Sequence, residues 1–246
     1  MKTFWPSASA PSCLIGLLAL LGLLAASVAT AGEIQISPLR VGLSAKVRTA
    51  VLKVHNAGTA ASVMQLSVKA WSQADGKEIF VPTQEVLVTP PIFTVAPGAT
   101  QIARVALRRA PDARREIAYR LFLEEVPTSV AQEITMALRF TIPVFVAPLG
   151  KPPAPSLTWR MAAEPKGAWR IEASNRGSAH IQVTSFAVAS ADGTVLARNQ
   201  RMDYLLPDQN RVWTLTPSLS AFPFADYSIV AQTDAGELRV QVPLER

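Results

Sequence analysis

With 246 residues, 49% of them apolar, the chain can fill the core of one large β domain or of two domains of ordinary size. Its formal net charge of +6 is spread over scattered arginines with no aromatic–basic interleaving, which excludes a nucleic-acid-binding surface of the usual kind. The single cysteine, Cys13, excludes an internal disulfide framework and Cys-based zinc or iron–sulfur sites.

The first 31 residues read as a secretory leader. Lys2 supplies a weakly positive start, Leu14 to Ala26 form an apolar block, and Ala29-Thr30-Ala31 is a small-x-small cleavage pattern before Gly32. The block is shorter than the roughly 20 apolar residues of a membrane span, so no membrane insertion is expected after cleavage. Cys13 precedes the block instead of ending it, which argues against a lipid anchor. Removing the leader takes away Lys2 and the only cysteine, leaving a net charge of +5 and a fold held by packing alone.

From Gly32 onward the pattern is strand after strand. Glu33–Val41, Val47–Asn56 and Ser62–Trp71 come first, with Met64, Leu66, Val68 and Ala70 on one face of the third. After the turn signal Asp75-Gly76 follow Glu78–Val88, the break Thr89-Pro90-Pro91, Phe93–Val95, the turn Ala96-Pro97-Gly98, and Thr100–Leu107. Ala110–Ile117 is compatible with one turn of helix, and Ala118–Val126 is again a strand. About seven strands at roughly ten-residue spacing predict a β-sandwich of immunoglobulin-like size.

Val130 to Val146 is the most informative stretch. Val130, Ile134, Met136, Leu138, Phe140, Ile142, Val144 and Val146 occupy even positions, interrupted only by Gln132, while the odd row is mostly small or polar. That alternation far exceeds the five or six residues of a common strand and lines one side with large apolar groups. Residues 148–155 (PLGKPPAP) form a stiff connector. A second all-β domain over 156–246 includes Trp169–Ser174, His180–Ala189, Val212–Thr216, Tyr227–Thr233 and Leu238–Leu244. No internal repeat relates the two halves at this level of reading. The fold class is therefore all-β, with two sandwich domains joined by a proline-rich elbow.

Chemistry-bearing motifs are sparse. His55 and His180 fall in different domains at strand-like positions and read as structural. Glu124 and Glu125 are adjacent on a strand and point to opposite faces, so they do not make an acid–base pair. No Gly-rich phosphate loop, G-x-S-x-G elbow or metal-ligand spacing occurs. Neither an enzyme nor a cofactor or metal is expected. Trp71, Trp159, Trp169 and Trp213 read as core or interdomain packing.

Several segments, in this order, resemble the periplasmic chaperones of pilus assembly, the chaperone–usher family. They are Ser37-Pro38-Leu39-Arg40-Val41, Val54-His55-Asn56, the Thr89-Pro90-Pro91…Ala96-Pro97-Gly98 run and Tyr119 to Pro127. Ile142-Pro143-Val144-Phe145-Val146-Ala147-Pro148, Asn175-Arg176-Gly177 before His180-Ile181, and Leu206-Pro207 before Trp213 complete the likeness. The resemblance spans the chain after the leader and implies two immunoglobulin-like domains, a periplasmic location, pilus subunits as clients and an outer-membrane usher as partner. It also implies a mechanism: the last strand of the first domain completes an unfinished subunit by β-augmentation. Ile134, Met136, Leu138 and Phe140 would be the lent side chains, with Ile142 turning inward to the chain's own core. At roughly 1.5–3 kcal/mol each, four such side chains are worth about 6–12 kcal/mol gross.

By the same resemblance, basic residues in the interdomain cleft hold the client's C-terminal carboxylate. Arg40 matches the family's first-strand arginine, whose fork suits a carboxylate. Where many members carry a late-strand lysine this chain has Pro143, which points to a divergent branch ending Ile-Pro-Val-Phe-Val and leaves the second cation to Arg120 or Arg139. An apolar edge also needs a cap when no client is bound, and self-association through the donor edge is one candidate. The alternative from another class is a secreted β-sandwich adhesin or carbohydrate-binding protein, which would need exposed aromatics on a loop or sheet face.

Overall fold

A computed structural model describes residues 34–74, 76–127, 137–218 and 227–245. The leader, Ile134 and Met136 lie outside the described residues. The first domain contains β1 (Ile34–Ser37), β2 (Val41–Leu43), β3 (Thr49–Asn56), β4 (Ser62–Ala74), β5 (Lys77–Pro82), β6 (Val86–Thr89), β7 (Ile92–Val95), β8 (Thr100–Leu107), β9 (Ile117–Glu125) and β10 (Arg139–Val146). They make two sheets, β1-β3-β8-β6 and β2-β10-β9-β4-β5, with β7 also on β4.

Alternation in the sequence decides which face is inside. Leu52 and Val54 of β3, Ala103 and Val105 of β8, Met64 and Leu66 of β4, Tyr119, Leu121 and Leu123 of β9, and Ile142, Val144 and Val146 of β10 meet in one core. Each of these fully buried side chains contributes roughly 1.5–3 kcal/mol relative to exposure where it is large and apolar. The segment expected as one strand over Glu78–Val88 divides instead. Its first half pairs with β4 in one sheet and its second half with β8 in the other. Such a crossing lets one segment serve both layers of a sandwich. The helical turn expected over Ala110–Ile117 is absent: this stretch runs as bends, closed by Asp112 accepting from the Arg114 and Arg115 amides at 2.7 and 2.9 Å.

The second domain holds β11 (Leu157–Ala163), β12 (Trp169–Asn175), β13 (Ile181–Ala189), β14 (Val195–Asn199), β15 (Asp203–Leu205), β16 (Asn210–Leu215), β17 (Tyr227–Thr233), β18 (Gly236–Val242) and β19 (Leu244–Glu245). Its sheets are β16-β12-β11-β19 and β14-β13-β17-β18, with β15 on β13. Trp159, Trp169 and Trp213 fill its core, as the sequence suggests.

A repeated device joins the two domains in design, contrary to the expectation of no repeat. Asn56 heads Asn-Ala-Gly-Thr-Ala and Asn175 heads Asn-Arg-Gly-Ser-Ala. Both asparagines are fully buried. Each accepts from the glycine amide two residues on, at 2.9 and 3.0 Å, and each donates to the carbonyl of the alanine four residues on, at 2.7 Å in both cases. Each also reaches a distant carbonyl: Val95 at 2.9 Å for Asn56, Leu205 at 3.1 Å for Asn175. A buried side chain thus replaces water for loop backbone that has no ladder partner. Gly177 is obligatory in the second copy, since a Cβ there would lie 2.3 Å from the Ala154 carbonyl oxygen.

Candidate strand-pairing site

β10 pairs antiparallel with β9 along its whole length, but β2 covers its other edge only over Val144–Val146. Among the described residues no strand lies against the outer edge of Arg139–Pro143. Main-chain polarity follows the parity of the sequence. Leu138 faces β9, since its carbonyl accepts from the Glu125 amide at 2.8 Å, whereas the Ala147 amide points outward to the Leu43 carbonyl at 2.9 Å. Even residues therefore bond inward to β9, and odd residues present their backbone to the edge. Pro143 is odd, so its missing N–H costs no bond within the sheet, the position a proline requires in a strand.

Side chains follow the same parity. Ile142, Val144 and Val146 are buried, while Leu138 and Phe140 are only partly buried and pack at the margin of the same core. Of the four side chains expected to be lent, these two are described, and they continue the inner row to the open end of the sandwich. The described strand begins at Arg139, later than the alternation from Val130 suggests, with residues 128–136 outside the description.

The odd row carries the other half of the site. Phe145 is buried against the second domain, in a cluster with Trp71, Ala118 and Leu206 and with Tyr204 beside it. Its ring stacks on His180 with centroids 3.4 Å apart and planes 4° from parallel. His180 Nδ1 lies 2.6 Å from Glu116 Oε1, and since a carboxylate only accepts, Nδ1 carries the proton. His180 Nε2 is buried with no hydrogen-bond partner among the described residues, 3.8 Å from Asp234 Oδ2. Gln73 adds a two-way clasp across the domains, donating to the Tyr204 carbonyl at 2.8 Å and accepting from the Leu206 amide at 3.1 Å. Arg115 with Asp208 forms a further interdomain ion pair.

The three candidate arginines have different surroundings. Arg40 is exposed and its Nη1 lies 2.9 Å from Asp234 Oδ2, across the cleft. Arg139 is exposed and pairs with Glu124 on the outer face of the sheet. Arg120, opposite Pro143 in the ladder, lays its guanidinium 3.7 Å from the Trp71 ring centroid and 5.5 Å from that of Tyr204. Burial pushes its pKa down, and the charge of Glu78 works against that effect. Glu78 itself is engaged by the Trp71 indole N–H and by Gln73 at 2.9 Å. Among the described residues Arg120 has no ion-pair partner. A partly desolvated cation on an aromatic face is held in place by cation–π attraction and still lacks an anion.

Sequence reading named Arg40 and Arg120 as anchor candidates and Trp71 as core or interdomain packing, but missed Phe145 in the aromatic wall beside them. The signal lay in the odd row, where Phe145 is a large residue among small and polar ones. Asp234 and Tyr204 carried no comparable signal, because only the tertiary fold brings them to Arg40 and Arg120.

No curated protein sequence matches the chain. Solved structures are similar in fold. One is the CsuC–CsuE chaperone–tip adhesion subunit pre-assembly complex from the archaic chaperone–usher Csu pili of Acinetobacter baumannii. It gives a TM-score of 0.67 at 16% identity, covering 87% of this chain and 100% of that one. The Pseudomonas aeruginosa CupB2 chaperone gives 0.56 at 19% identity, with 85% and 100% covered. The SafB chaperone complex with SafA pilin from Salmonella enterica gives 0.58 at 18% identity, with 85% and 94% covered. Residues 33–151 match the family model described as pili and flagellar-assembly chaperone, PapD N-terminal domain.

Proposed function

We propose that the chain is a periplasmic chaperone that holds pilus subunits by lending them the open edge of β10 and passes them to an outer-membrane usher. The observation that carries this reading is the half-covered strand: β2 seals Val144–Val146 and leaves the outer edge of Arg139–Pro143 without a partner strand among the described residues. An incomplete subunit would pair its own strand with the outward backbone of Arg139 and Thr141. Its groove would receive the inner row formed by Ile134, Met136, Leu138 and Phe140. Main-chain bonds give the pairing and the apolar row gives the register.

The client's C-terminal carboxylate would enter the cleft beside Pro143, where Arg120 and Arg40 approach from adjoining elements. Arg120 is the stronger candidate because it has no ion-pair partner among the described residues, while Arg40 already holds Asp234. Arg139 points to the opposite face with Glu124 and is the weakest of the three. The adhesin reading lacks a platform: Phe80 is the only exposed aromatic among the described residues.

Periplasmic co-expression with a candidate pilus subunit tests the reading. Wild type should retain the subunit in a pull-down, and Met136→Asp combined with Leu138→Asp should be folded and empty. Equal retention by both would place binding elsewhere and reduce the alternation to core packing.

A further inference from the structure

The late-strand lysine that this chain lacks would have supplied a hydrogen-bond donor as well as a charge. Pro143 supplies neither. Across the cleft, the second domain brings a different donor beside Phe145, two residues further along the strand. Tyr204, on β15, is half-buried between the domains, with its ring 5.4 Å edge-on from Trp71, 6.0 Å from Phe145 and 5.9 Å from His180. The Arg120 guanidinium lies 5.5 Å from the same ring. The Gln73 clasp holds the backbone that follows it, at the Tyr204 carbonyl and the Leu206 amide, so the ring is set by both domains.

The hydroxyl is the unusual part. Tyr119, the comparable buried tyrosine of the first domain, donates to Glu85 Oε2 at 2.8 Å. The Tyr204 hydroxyl has no hydrogen-bond partner among the described residues, although it feels the charges of Arg120, Arg40 and Asp234. Burial, the largest influence on it, pushes its pKa up, so the group stays a donor at any physiological pH. A neutral O–H that feels two guanidinium charges is matched to an acceptor that carries negative charge. A third cation there would meet repulsion from both arginines.

We infer that Tyr204 is a direct ligand of the client's C-terminal carboxylate, its O–H completing with Arg40 and Arg120 an anchor shared between the two domains. This deepens the reading above and rests on it. The site then recognises a free carboxylate at a chain end only when both domains are correctly set, because Arg120 and Arg40 come from one domain and Tyr204 from the other.

The test uses the chain and its Tyr204→Phe variant, which keeps every ring contact and removes only the oxygen. The probe is a synthetic hexapeptide of alternating threonine and valine, made as the free acid and as the C-terminal amide, with affinity read by calorimetry. Wild type should prefer the acid, and Tyr204→Phe should weaken the acid roughly tenfold or more while leaving the amide unchanged, as expected for one charge-assisted bond. The variant should unfold at the wild-type temperature, since the hydroxyl bonds none of the described residues. Equal weakening of acid and amide would make Tyr204 a packing residue and overturn the inference. So would wild-type preference for the acid in the variant, although the arginine anchor would survive that result. A wild type that does not distinguish acid from amide, whether it binds both or neither, would remove the anchor itself and Tyr204's part with it.

Discussion

The two halves of β10 share one alternation and differ in everything else. From Val144 to Val146 the strand is sealed on both edges, and its inner and outer side chains are all buried. From Arg139 to Pro143 the same pattern meets β9 on one edge and no described strand on the other. The difference is not in the hydrophobicity of the residues, since Phe140 is as apolar as Val144. It is in the length of β2, three residues that begin only at Val41, opposite Val144. An open edge is normally an aggregation hazard that proteins shorten, charge or cover. Here Arg139 and Pro143 bracket the open part, so the edge is guarded by a charge and a missing donor without being closed.

That contrast predicts separable phenotypes. The largest expected effect is on stability, from the sealed side: Ile142→Ala, buried in the core at 2% exposure, should cost about 2–5 kcal/mol. Urea melts should register it, while subunit capture per folded molecule stays close to wild type. If capture falls in step with a small stability change, Ile142 belongs to the lent row and the boundary lies further along the strand.

Thr141→Pro probes the open side. Its N–H faces the edge and makes no bond to β9, as with Pro143 two residues on, so the sheet should tolerate the change. A client strand would lose a main-chain bond and meet the proline ring, and capture should fall at least about tenfold, or 1.4 kcal/mol. Unchanged capture by a folded Thr141→Pro variant would mean that no strand pairs there. Arg120→Ala comes next. Because the guanidinium is partly desolvated and has no ion-pair partner among the described residues, removing it should leave the melting temperature unchanged or slightly raised. Subunit binding should weaken roughly tenfold, in line with a charge-assisted bond of about 1.5–3 kcal/mol. Unaltered binding would pass the anchoring role to Arg40 alone.

How far the sequence could lead depends on the range of the interaction. Parity is local, so the inner row of Ile142, Val144 and Val146 and the outward-facing Arg139 are readable from a period of two, whereas Arg120 as a neighbour of that strand comes only from the resemblance. Pro143 was readable as a departure, and its harmless position follows from the same parity. The split of Glu78–Val88 was not, because both halves have good strand composition and only the partners, β4 and β8, differ. Asn56 and Asn175 were noticed singly and not as a pair, since their likeness lies in five residues of loop and in hydrogen bonds that no periodicity encodes. The Arg40–Asp234 pair joins residues 194 apart in sequence. Nothing local marks either residue for the other, and the cleft's electrostatics become visible only once the two domains are set side by side.

The smallest predicted effect sharpens the comparison most cheaply. Arg139 stands at the mouth of the open half, yet its guanidinium turns to the outer face, where it pairs with Glu124 and lies 5.9 Å from the Phe122 ring centroid. Phe122 is covered independently by Phe80, at 5.3 Å edge-on, and by Lys69. An exposed ion pair of this kind contributes about 0–1 kcal/mol. Arg139→Ala should therefore move the melting temperature by no more than a few degrees for a change of that size and leave subunit capture intact. A large loss of capture would show that the client reaches around the strand to its outer face, so that the edge is read from both sides and the inner apolar row is only half of the recognition.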